Sequence, residues 1–224
     1  MAKTQRTERR ADALSKAKIV EAAIEILDTG GESALTFRAL AARLATGSGA
    51  IYWHVADKSE LLAAGADHVI AGVMTGMVGG DEPRKAIRDI ALGVFDAIDA
   101  HPWVGAQLFR EPWRPAMLQI FEGVGGRLLA LGVPEHARFD AASALVSYIL
   151  GVAAQNAANA RLAREAQRMD RSAFLAGVAA RWAQLDPAEY PFVRQVAAQL
   201  RDHDDREQFL AGVDLILAGV GTVR

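Results

Sequence analysis

The chain is predicted to be all-helical, on three observations. Apolar residues recur at i, i+3, i+4 and i+7 almost throughout, the period of a helix face rather than of a strand. Runs of β-branched residues are few. The seven prolines fall at starts or breaks of that pattern, where a helix tolerates them. The composition of the 224 residues, 51% hydrophobic and 23% charged, is that of a globular chain, with apolar material for a sizeable core. Cysteine is absent, which excludes disulfides, thiolate metal sites and a thiol nucleophile. The net charge of −2 gives the whole chain no basic signature. Its first 18 residues differ: Lys3, Arg6, Arg9, Arg10, Lys16 and Lys18 stand against only Glu8 and Asp12, an arm suited to an anionic partner or simply to solvent.

The elements follow in order. Ser15 can cap a first helix whose apolar face is Val20, Ala23, Ile24 and Leu27, ended by Gly30-Gly31. Thr36 caps a short second helix carrying Phe37, Leu40, Ala41 and Leu44, to about Ala45. Thr46-Gly47 makes a tight break, and Ser48 is placed to cap a third helix of about eight residues. Asp57 and Ser59 open a fourth, from Glu60 to about Val78, before a break at Gly79-Gly80. Acid and proline at 81–83 start a fifth helix, which runs to about Ala100 because Pro102 restricts His101. A short segment at 103–109, a helix from Pro115 to Leu131 closed by Gly132, and a long helix from about Pro134 to Arg168 come next. A helix at 171–185, a loop through Pro187 and Pro191, and a last helix from Arg206 to about Gly219 complete the chain. No apolar run approaches a membrane span, and the N-terminus lacks the apolar core of a signal peptide, so a cytoplasmic protein is expected.

Chemistry concentrates in residues 35–58, LTFRALAARLATGSGAIYWHVADK. A helix, a tight turn and a second short helix form the helix-turn-helix arrangement, whose second helix is sized for the major groove. Ile51 and Val55 lie one turn apart and can bury. Tyr52, Trp53 and His54 cannot then all face inward, and a ring left outside can bond a phosphate oxygen or a base edge.

The string T-x-R-x-L-A-x-x-L from Thr36, the short turn, and Tyr52-Trp53-His54-Val55 with Lys58 three residues on resemble the tetracycline repressor (TetR) family over about Val20–Leu62. The terminal Phe209–Gly219 resembles the last helix of that family's effector domain. The resemblance implies a helix-turn-helix head over 1–60 and an effector-binding and dimerisation domain over 61–224. It implies a homodimer on palindromic double-stranded operator DNA, joined through helices at about 134–168 and 206–219, most readily a repressor released by a small-molecule inducer that moves the fourth helix. DNA contacts carried over by position are Arg38, where the family reads a base, with Phe37 and Thr36 beside it; Ser48, Gly49 and Ala50 at the start of the third helix; Tyr52, Trp53 and His54; and the phosphate-binding Lys58. Ser48-Gly49-Ala50 is smaller than what the family often carries there, so direct base readout from this helix should be thin.

For the effector, Trp103, Phe109, Trp113, Met117, Phe121 and Tyr148 lie on the helices from the fifth onward with few charges between them, two Trp and a Met clustering around breaks at Pro102, Pro112 and Pro115, and Gln155 and Asn156 are polar residues on the long helix. These eight are the expected ligand contacts, core packing being the plainer reading of the aromatic ones. Tetracycline repressors bind a magnesium–drug complex through histidines, and Met74 occupies the first such position. No metal and no cofactor is therefore expected, and the effector should be apolar or aromatic. The glycines at 123, 125 and 126 call for close helix contact, a bend or a break. No catalytic motif or acid–base pair supports an enzyme. A helical carrier protein without sequence-specific DNA binding is the alternative to a regulator.

Overall fold

The structure, a computed structural model, describes residues 14–77, 82–165, 171–200 and 203–222. The expected basic arm up to residue 13, the Gly79-Gly80 break and the last residues of the long helix lie outside them. Among the described residues the chain is helical without a strand: α1 Lys16–Ala34, α2 Phe37–Arg43, α3 Ser48–Tyr52, α4 Lys58–Gly76, α5 Pro83–Ala100, α6 Pro102–Leu108, α7 Pro115–Ala130, α8 Glu135–Glu165, α9 Arg171–Ala183, α10 Pro191–Val196, a 3-10 turn Ala197–Leu200, and α11 Asp205–Val220.

Helix starts follow their capping residues. Ser15, Thr36 and Asp57 accept from the backbone N–H of Lys18, Ala39 and Glu60. Glu82 accepts from Arg84 and Lys85 ahead of the Pro83 start. Three expectations at breaks and loops need correction. Gly31, at φ +67°, interrupts α1, but one more turn follows to Ala34. Ser48 does not cap α3: Gly47 holds that position without a side-chain bond, and α3 is five residues long rather than eight. The segment after Pro187 is not all loop, since α10 begins at Pro191. At Gly132, φ is +76°, the left-handed closure that glycine allows.

Ile19, Ala23, Leu27, Leu40, Ile51, Val55 and Leu61 bury together and hold α1–α3 against the start of α4. At this corner Glu60 accepts from the Ala56 N–H at 2.8 Å and from the Lys16 ammonium at 2.6 Å. These bonds, the backbone one first, hold the Glu60 carboxyl below its ordinary 4.5. A depressed carboxylate contributes stability above its unfolded pKa that is lost as pH falls through the folded one. Glu60→Gln is therefore expected to unfold more readily than the parent chain at pH 7, the difference shrinking below about pH 4.5. Urea melts at several pH values check this, and a difference constant across them would contradict it.

The larger helical body packs α5, α7 and α11 around α8. Over Glu135–Ala160, α8 is long and apolar enough to cross a membrane by length and composition, contrary to the expectation that no segment would be. Ala142, Leu145, Val146, Ile149, Leu150 and Ala153 on it are buried in the body's core, which accounts for part of its apolar character, 39% of that span being buried. Helix α11 is fastened to α5 by ion pairs Arg88–Asp214 and Arg206–Asp96 and by Arg84 donating to the Leu217 carbonyl. Helix α4 joins both parts. Its Asp67 accepts from the Ala116 N–H and so caps α7, and its Met74 packs onto Gly123 so closely that a Cβ there would displace the thioether methyl. Close helix contact is thus the reason for one of the three glycines in α7; nothing lies within 4 Å of a Cβ at Gly125 or Gly126.

Candidate nucleic-acid interface

The outward face of the first three helices is assembled by a ring stack. Phe37 at the start of α2 lies on Tyr52 at the end of α3, centroids 4.2 Å apart and planes within 9°. The two helices are thereby locked at one angle, while Ile51 and Val55 sit fully buried beneath. Tyr52 remains half exposed, and the next residue, Trp53, is 90% exposed. An indole left almost wholly in water carries a large desolvation gain if a partner covers it. His54 is half-buried beside it. Arg38 is exposed one position past Phe37 and makes no hydrogen bond or ion pair among the described residues. Ser48 and Gly49 are exposed and Ala50 half-buried, so the start of α3 offers backbone and one hydroxyl to a groove.

Two of the ten expected DNA residues have polar groups engaged within the chain. The Thr36 hydroxyl is occupied as the α2 cap, accepting from Ala39 N–H at 3.1 Å. The Lys58 ammonium donates to the Glu32 carbonyl at the end of α1, which leaves two of its three donors for a phosphate. Phe37 contributes chiefly by fixing Tyr52.

The eight expected effector contacts do not gather into one cavity. Trp103 is buried; its indole N–H donates to Asp28 Oδ1 at 2.8 Å and its ring lies against Gly65 of α4, where a Cβ would meet it at 2.8 Å. Trp103 and the half-exposed Phe109 line an open cavity of about 970 Å³ between α1, α6 and α8. Phe121 lines a shallower depression of about 560 Å³ between α4 and α7, with Met74 and Arg127. Met117 packs against the core and Trp113 is 69% exposed in the turn before α7. Tyr148 lies elsewhere: its hydroxyl donates to the Phe209 carbonyl, its ring stacks on Phe209, and burial pushes its phenol above 10. Gln155 is exposed, and Asn156 donates to Asp99 at 3.3 Å. His101, at the end of α5, is tied to Asp28 at 2.8 Å.

The polar residues of the large cavity, Asp28 and Glu32, escaped sequence reasoning. Nothing in a solvated-looking carboxylate pair at i, i+4 near a helix end announces that α6 and α8 will fold over it.

Residues 19–64 match the pattern of bacterial regulatory proteins of the tetR family, and residues 79–224 that of the tetracyclin repressor-like C-terminal domain. An HTH-type transcriptional regulator of Saccharopolyspora erythraea is 32% identical over 139 residues, 62% of this chain but only 59% of that protein's length. The transcriptional regulator SCO7222, a TetR from Streptomyces coelicolor, is 51% identical with a TM-score of 0.86, covering 94% of this chain and 99% of that one. The S. coelicolor TetR family protein ActR, solved in complex with actinorhodin, shares the fold at 22% identity and a TM-score of 0.74, covering 93% and 97%. With both patterns matched in tandem and the second spanning more than half of the residues, the chain belongs to the TetR family of transcriptional regulators, with a DNA-binding and a ligand-binding domain.

Proposed function

We propose that the chain is a cytoplasmic, ligand-responsive repressor that binds a palindromic operator as a homodimer and leaves it when a small molecule binds. It performs no catalysis in this reading. Residues 1–60 are the reading head and residues 61–224 the effector and dimer domain. The observation that carries the proposal is the Phe37–Tyr52 stack presenting Trp53, with Arg38 unpaired on the same head. Buried Ile51 and Val55 fix α3 by its back, so its exposed front is rigid before any partner arrives. Dimerisation is supported by the outer faces of α8 and α11, where Ala144, Ser147 and Gly151 and Ala211, Leu215 and Ala218 are exposed. Small side chains there let a second pair of helices approach closely, and Leu215, 75% exposed, gains a cover.

Selection of bound fragments from a random duplex library with the full chain tests the proposal. Enrichment of a two-fold symmetric site, with two chains per site by sedimentation, is expected. No enrichment over non-specific binding would overturn it. On the recovered site Arg38→Ala is expected to cost about 1–3 kcal/mol and to relax one position in each half-site, as loss of a bidentate base contact does. A loss uniform across sequences would assign Arg38 to phosphate instead.

A further inference from the structure

The cavity between α1, α6 and α8 is lined by residues of both the head and the body. Its walls are Asp28, Glu32 and Ser33 from the end of α1, Trp103 and Phe109 around α6, and alanines of α8. Among the described residues, no lysine, arginine or histidine lines it. Asp28 accepts two hydrogen bonds, from Trp103 and His101, and both fall on Oδ1. Glu32 accepts from Gln107 on Oε1 at 3.2 Å. Oδ2 of Asp28 and Oε2 of Glu32 have no partner among the described residues. Two described cations beside this wall serve other atoms: Lys58 bonds the Glu32 carbonyl and Arg110 the Gln107 amide oxygen. The break of α1 at Gly31 adds a helix C-terminal end, whose dipole is negative, to the same wall.

We propose that this cavity is a binding site for an aromatic or apolar organic cation, and that its occupation sets the angle of the head on the body. Two open carboxylate oxygens and a helix C-terminus select a positive charge, while the Phe109 face and the alanine floor accept a flat apolar group. The cavity volume, about 970 Å³, suits a drug-sized molecule. Asp28 and Glu32 belong to the helix that packs behind the DNA-reading pair, whereas Trp103 and Gln107 belong to the body. A cation drawing on both carboxylates perturbs the two hydrogen bonds that fix α1 to α6. The control of operator binding rests on the regulator reading above; the site itself does not.

Three naphthalene probes of one ring and different charge test it on the full chain: 1-naphthylmethylammonium, 1-naphthalenemethanol and 1-naphthaleneacetate. By calorimetry without DNA, the cation is expected to bind at least about tenfold tighter than the alcohol, and the anion weakest. The pair Asp28→Asn with Glu32→Gln keeps the shape and one accepting oxygen at each residue, and is expected to level cation and alcohol. Ala106→Trp, on the exposed rim of α6, is expected to block all three while leaving the thermal midpoint in place. Equal binding of the three probes, or cation binding untouched by both variants, would overturn the site. On the selected operator the cation should weaken binding by the parent chain and not by Ala106→Trp. Cation binding that leaves operator affinity unchanged would overturn the coupling to the head. A cation-selective chain that selects no operator would overturn the regulator reading alone, and an operator-binding chain without charge preference would overturn the site alone.

Discussion

Trp53→Ala is expected to weaken operator binding by about 1–3 kcal/mol, the size of one good groove or phosphate contact, without changing the stability of the head. The indole is 90% exposed and closes α3 only through its backbone, so truncation removes no packing and leaves no cavity. Surface substitutions of that kind stay within about 0.5 kcal/mol of the parent in stability. The neighbouring Tyr52→Ala should behave differently, because its ring is stacked on Phe37 at 4.2 Å and holds α3 to α2. It should lower both stability and operator affinity. Melting curves and operator titrations on the two variants separate a ring that reads DNA from one that aims the reader. If Trp53→Ala binds the operator as tightly as the parent, or melts early, the outward face of α3 is not the reading face.

The head was far more legible than the body, for a physical reason. Its caps and turns are local: Ser15, Thr36 and Asp57 each act on an N–H three residues ahead, and the spacing of Ile51 and Val55 is enough to bury one side of α3. Ser48 misled because a serine after glycine satisfies the same local rule, yet the chain turns one residue earlier and Gly47 takes the cap. In the body the sequence shows which residues are aromatic and not which helix they meet. Tyr148 and Phe121 carry equal local signals, but one is fixed against α11 and the other borders a depression by α4. The junction cavity depends on residues 28 and 32 meeting residues 103–109 and 154–158, a conjunction no helical period records. The tie between His101 and Asp28 was hidden in the same way.

The placement of Tyr148 points to where the body is vulnerable. Phe209 is fully buried on α11, with the Phe95 ring of α5 stacked at 4.7 Å on it and the Tyr148 ring of α8 at 5.8 Å. The Tyr148 hydroxyl returns to the Phe209 carbonyl at 3.2 Å, and Gly212, one turn on, makes room for that ring, since a Cβ there would collide with it. Three helices therefore meet on one side chain. Phe209→Ala is expected to cost about 3–5 kcal/mol, the transfer of the ring plus a cavity the stacked neighbours cannot close. Tyr148→Phe should cost only about 1 kcal/mol, because the stack remains and the hydroxyl loses one hydrogen bond. Helices α8 and α11 are also the proposed dimer faces, so Phe209→Ala should raise the fraction of monomer as well. Urea melts and sedimentation at matched concentrations test both effects. A loss for Phe209→Ala no larger than that for Tyr148→Phe would mean that α11 is held by its ion pairs to α5 and not by the ring stack. Arg88→Ala, which breaks the pair with Asp214, would then be the more damaging change.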